Sequence, residues 1–251
     1  MNLTKIYREL ASEVDRLEFS PPVEYVYNPL VYARRPFETF LKRFGKGTKE
    51  VVLVGMNPGP FGMAQTGVPF GDVEMVREWL GIEATVGRPE REHEKRPVEG
   101  FGCPRREVSG TRLWSWARDR FGTPERFFER FFVMNYCPLV FMEESGRNRT
   151  PDRLRADERE TLFAACDRAL VRAVEATEAK HVVGIGAFAE KRIIEAMDGS
   201  SVETGRILHP SPASPAANKG WAEKVDAQLG AMGIDTYEKP GARRPPRGGG
   251  R

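Results

Sequence analysis

The chain has 251 residues, 40% of them hydrophobic and 30% charged, which excludes a disordered chain and fits one globular domain with a sizeable core. No run reaches the roughly 18 apolar residues of a membrane span, the start MNLTKIYREL has no apolar leader core, and three scattered cysteines without C-x-x-C argue against a disulfide framework, a zinc site or an iron–sulfur cluster. Lys plus Arg number 39 against 36 Asp plus Glu, but four arginines lie in the last twelve residues, PGARRPPRGGGR, leaving 35 basic and 36 acidic residues over 1–239. Bulk charge therefore names no partner, and an intracellular protein is expected.

In chain order, Leu3, Ile6, Tyr7, Leu10, Val14 and Leu17 have the spacing of an amphipathic helix. Phe37, Phe40, Leu41 and Phe44 predict a second helix that Gly45 can close. Glu50–Gly55 (EVVLVG) reads as a short buried strand, and Phe131–Asn135, His181–Ile185 and Gly205–Leu208 read likewise. Helices are predicted over Asp72–Leu80, Ser109–Arg120, Asp157–Thr177, Ala187–Met197 and Asn218–Met232. Residues 82–108 form a long irregular excursion, a type of segment that is usually functional or mobile. Apolar strands alternating with helices, without a strict period of two, predict a parallel sheet covered on both faces. One domain is expected over 1–239, followed by a disordered Pro/Gly/Arg tail over 240–251 that is either a solvated terminus or a phosphate-seeking arm.

In such sheets the ligand sits beyond the carboxyl ends of the strands. Asn57 follows the first strand, Asn135 ends the second and His209 follows the fourth, so the three should meet along one edge. The segment GMNPGPFGMAQTGVPFGD over 55–72 is too rich in glycine and proline for a helix. It reads either as an ordinary rigid loop or as a preorganised pocket wall. It is not a Walker loop, G-x-G-x-x-G and G-x-S-x-G are missing, and there is no deaminase zinc signature. Asp72 and Glu74 read as charges at a helix N-terminus. His181 reads as a packing or capping residue at the start of its strand, and His93 sits in a charged loop.

The stretch GMNPGPFGMAQTGVPFG, the strand end FVMNYCPL, SGRNRTP at 145–151 and HPSP followed by NKGW closely resemble the single-strand-selective monofunctional uracil-DNA glycosylases, over about residues 24–235. The resemblance implies an α/β fold, a three-layer α/β/α sandwich around a parallel four-stranded sheet. It implies hydrolysis of the N-glycosidic bond of uracil and related damaged bases flipped out of single- or double-stranded DNA, leaving an abasic site. A monomer with no metal, no organic cofactor and no membrane association is implied. By the same resemblance Asn57 positions the attacking water and His209 hydrogen-bonds uracil O2. Asn135 reads the uracil edge, Phe70 stacks on the base, and Met56, Gly59 and Met63 line the pocket. Pro210, Ser211, Pro212, Ala213, Ser214, Pro215, Ala216, Ala217, Asn218 and Lys219 match the loop that wedges into the duplex. Vertebrate members carry an arginine and larger polar residues where this chain has Ala213, Ser214 and Ala216.

These residue types suit the chemistry. A donor aimed at O2 stabilises charge that develops in the transition state, whether His209 is a neutral tautomer or an imidazolium. An amide is no base, so Asn57 can only orient water, and bond cleavage must run ahead of attack. The amide of Asn135 matches uracil N3–H and O4 provided its neighbours hold it in one orientation. Two rival readings are a damaged-DNA binder without catalysis and a nucleotide-processing α/β enzyme. A third is a glycosylase acting mainly on the deaminated purines xanthine and hypoxanthine.

Overall fold

Three apolar strands and one polar edge strand form the central sheet in a computed structural model that describes residues 2–236; the tail expected over 240–251 lies outside them. The helices are α1 (Leu3–Val14), α2 (Pro29–Tyr32), α3 (Arg34–Phe44), α4 (Met63–Thr66), α5 (Val108–Phe121), α6 (Pro124–Arg130), α7 (Ala156–Thr177), α8 (Ala187–Ala196) and α9 (Trp221–Ala231). The strands are β1 (Tyr25–Tyr27), β2 (Val51–Gly55), β3 (Phe131–Asn135), β4 (Val140–Met142), β5 (Asn148–Arg149), β6 (His181–Ile185) and β7 (Glu203–Ile207).

The parallel sheet has the order β3-β2-β6-β7, with Gly55 opposite Asn135 and Ile185 opposite Ile207. Every residue of β2 and β3 is buried, which requires cover on both faces. Alternation along β3 divides that cover. Phe131 stacks on Phe127 of α6 and meets Trp116 of α5 edge-on, while Phe132 turns to Phe40 of α3. The sandwich expected from the sequence is therefore present.

Several boundaries differ from the sequence reading, each for a physical reason. The fourth strand begins at Glu203, not Gly205, because β7 pairs only with β6 and an edge tolerates polar side chains. The first helix stops at Val14, and the last begins at Trp221 after a 3₁₀ turn at Pro215–Asn218 and the left-handed Gly220. The helix predicted over 72–80 contains a π-helical turn, Met75–Trp79, closed by Leu80 N–H donating to the Met75 carbonyl at 3.0 Å. Asp72 is wholly buried and caps this turn, accepting from Met75 N–H at 3.2 Å. A second, antiparallel sheet, β1-β4-β5, was not legible because its strands have two or three residues each. The excursion at 82–107 is pinned to that sheet: Tyr27 donates to the Arg96 carbonyl at 2.9 Å, and His93 Nε2 lies 2.9 Å from the Glu144 carbonyl. The three cysteines are buried and unpaired.

Candidate active site

A cavity of about 410 Å³ lies where β2 and β3 give way to their following loops. Met56, Asn57, Gly59, Met63, Phe70, Asn135 and His209, singled out from the sequence, all line it. The strand register explains part of this convergence, since Gly55 and Asn135 are direct partners and Asn57 lies two residues on. His209 has further to come, because β7 is two strands away from β2. Gly186, at φ +93° after β6, supplies the passage: a Cβ there would stand 3.2 Å from the His209 Cβ.

His209 is held as one tautomer. The Ser211 N–H donates to its Nδ1 at 3.0 Å, so Nδ1 is unprotonated and Nε2 carries the hydrogen. Burial holds the imidazole pKa below its ordinary 6.5, which keeps the ring neutral at pH 7. The side chain thus presents Nε2–H to the cavity as a neutral donor.

The two asparagines are oriented by their neighbours. Asn57 Nδ2 donates to the Leu139 carbonyl at 3.0 Å, leaving Oδ1 as an acceptor. Asn135 Nδ2 donates to the Met63 sulfur at 3.3 Å. A flipped amide would set its oxygen against that sulfur, so Met63 favours one orientation. Gly55 makes room for this arrangement. A Cβ on it would lie 2.6 Å from Asn135 Oδ1 and 2.7 Å from the Phe70 ring.

Phe70 sits in the left-handed region at φ 52°, a conformation that disfavours L-residues by roughly 1–2 kcal/mol. Its carbonyl is pinned by Trp114 Nε1 at 2.9 Å and by Asp72 N–H at 2.8 Å. Gly110 permits this closeness, since a Cβ there would come within 2.0 Å of the Phe70 oxygen.

Ser211 also lines the cavity, and the loop that follows is braced by Arg112, which donates to the Pro210 carbonyl at 2.8 Å and to Asn218 Oδ1 at 3.0 Å. Within the expected wedge, Pro210 and Ala217 are buried beneath the loop surface. Its outward surface is Pro212, Ala213, Pro215, Ala216, Asn218 and Lys219, with Ser211 and Ser214 half-buried. Six further residues line the cavity without having been singled out: Pro58 and Gly62 within the glycine-rich segment, and Glu107, Ser109, Asn148 and Thr150 outside it. The only sequence signal for Glu107 was its place just ahead of a predicted helix. Its carboxylate accepts from Ser109 N–H at 3.3 Å and from Gly110 N–H, capping α5, and burial pushes its pKa up. Among the described residues no group of three His, Cys, Asp or Glu side chains could hold a metal ion, and no helix is long and apolar enough to cross a membrane.

A family model described as the uracil DNA glycosylase superfamily matches residues 42–229. The single-strand selective monofunctional uracil-DNA glycosylase of Rattus norvegicus is 49% identical over 227 residues, covering 90% of this chain and 82% of the rat protein. That of Mus musculus is 48% identical over the same length, covering 90% and 81% respectively. The crystal structure of wild-type Pedobacter heparinus SMUG2 superposes with a TM-score of 0.65 at 16% identity, covering 93% of this chain and 97% of that one, a likeness of fold.

Proposed function

The chain belongs to the uracil DNA glycosylase superfamily, and from that premise we propose that it is a monofunctional glycosylase of base excision repair, releasing uracil and related damaged bases from DNA. The observation that carries this reading is the meeting of Asn57, Asn135, Phe70 and His209 around one cavity, each fixed by a neighbour before any base arrives.

The base is extruded from the stack, at a few kcal/mol, and the Phe70 ring recovers about 1–3 kcal/mol by stacking. Asn135 accepts from uracil N3–H and donates to O4, whereas cytosine would face it with like groups. As the C1′–N1 bond breaks, positive charge grows on the sugar and negative charge on the base. His209 Nε2–H donates to O2, where that negative charge collects. Asn57 Oδ1 accepts a hydrogen of the water that attacks C1′. The departing base anion takes up the proton that the water loses, so no strong base is needed.

Met63 is a positioning residue in this scheme. Met63→Leu keeps the volume but removes the acceptor that holds the Asn135 amide, and the preference for uracil over cytosine falls by about two- to tenfold. The ratio of kcat/KM on the two bases measures it; an unchanged ratio in a folded variant removes Met63 from the account.

The protein acts as a monomer, inside the cell, on both single and paired strands. Its wedge offers only small uncharged tips at Ala213, Ser214 and Ala216, which hold a duplex open less well than larger side chains would. Rates are therefore expected to rank single-stranded and mispaired U·G substrates above matched U·A, and equal rates on all three would contradict this account of the wedge. The founding experiment is incubation with oligonucleotides bearing uracil, a C5-oxidised uracil, xanthine or hypoxanthine, followed by alkaline scission at abasic sites. Scission at uracil is expected. Intact uracil strands would overturn the reading, and scission at purine lesions alone would favour a deaminated-purine glycosylase.

A further inference from the structure

Phe61 lies between Gly59 and Gly62, both lining the cavity, yet its own ring is only half-buried. Two guanidiniums stand over that ring, Arg105 at 4.1 Å and Arg96 at 5.4 Å from its centroid. Neither has a carboxylate partner among the described residues. The contrast with the next residue is sharp: Arg106 is neutralised by Asp72 and Glu74. The carboxylate nearest to Arg105 in sequence beyond Arg106, that of Glu107, is turned inward to cap α5.

Arg96 is held by neutral acceptors, donating to the Gly146 carbonyl at 3.1 Å and the Lys95 carbonyl at 3.0 Å, so its charge is undiminished. Both cations thus lie on the 82–107 excursion, whose last residue, Glu107, lines the cavity, and Arg96 is tied through Gly146 to the turn that supplies Asn148 and Thr150. A guanidinium already fixed over a ring loses little further freedom on binding, and its forked donors fit a phosphate.

We propose that Arg105 and Arg96, seated over Phe61, form a binding shelf for a backbone phosphodiester of the strand whose nucleotide enters the cavity. The shelf rests on the reading of that cavity as a nucleotide pocket in DNA. It grips the strand whatever its sequence or lesion, and it serves affinity without taking part in bond cleavage.

The test compares the wild type with Arg105→Gln, Arg105→Lys and Phe61→Leu on a single-stranded uracil oligonucleotide across a salt series. Arg105→Gln is expected to raise KM about three- to tenfold with kcat unchanged. It should also make the decline of log kcat/KM with log salt shallower by about 0.7, the signature of one lost contact on single-stranded DNA. Arg105→Lys should keep the salt slope, and Phe61→Leu should keep the slope while raising KM less. Wild-type KM and slope in Arg105→Gln would overturn the shelf. Binding of an undamaged single strand, measured in parallel by fluorescence anisotropy, reads the shelf without any chemistry. Absent uracil release together with a weakened Arg105→Gln complex would therefore count against the enzymatic reading and for the shelf.

Discussion

His209→Ala is expected to lower kcat for uracil release by about 10²–10³-fold while KM moves little, because the lost donor acts on charge that appears only as the base leaves. The direction of that donor is set by Ser211, whose N–H occupies Nδ1 and leaves the hydrogen on Nε2. Burial lowers the imidazole pKa below 6.5, so the wild-type rate should stay level as pH falls through 6.5 and decline only further into acid. There a proton on Nδ1 displaces the Ser211 contact and loosens the loop behind it. Stability follows the same sign. Unfolded chains take up the proton first, so the contribution of His209 to folding shrinks below pH 6.5 and levels off once the native ring is also charged. Single-turnover base release across pH measures the rate effect. An acid limb centred at or above 6.5, or undiminished turnover in the folded alanine variant, would remove His209 from its role as neutral donor.

Asn57→Ala should lower kcat by about 10²-fold, the scale associated with a reacting group that has lost its positioning. The informative companion is Asn57→Asp. A carboxylate has no N–H to give the Leu139 carbonyl, 3.0 Å from the native Nδ2, so two acceptors would face each other and the side chain would swing away. A mechanism in which water needs a strong base predicts that aspartate restores activity. Cleavage that runs ahead of attack predicts that it does not, and Asn57→Asp should remain within about an order of magnitude of Asn57→Ala. Thermal melting of both variants checks that the fold is retained. Wild-type rates in Asn57→Ala would end the assignment.

The amino-acid sequence alone determined the alternation of buried strands and helices, and two strands, Phe131–Asn135 and His181–Ile185, were read to the residue. It also placed Asn57, Asn135 and His209 at strand ends, because apolar runs broken by glycine and proline mark where a buried strand must stop. Resemblance to a known family supplied their roles. Only the tertiary structure decided how these groups point. Leu139 orients Asn57, Met63 orients Asn135, Ser211 selects the His209 tautomer, and Gly186 lets His209 cross the end of β6. The rim cations over Phe61 and the inward turn of Pro210 and Ala217 belong to the same class. Periodicity and composition record how each segment meets water, and that is a local property. Where one amide or ring nitrogen finds its partner depends on strand order and close approach between distant segments, which leave no period in the chain.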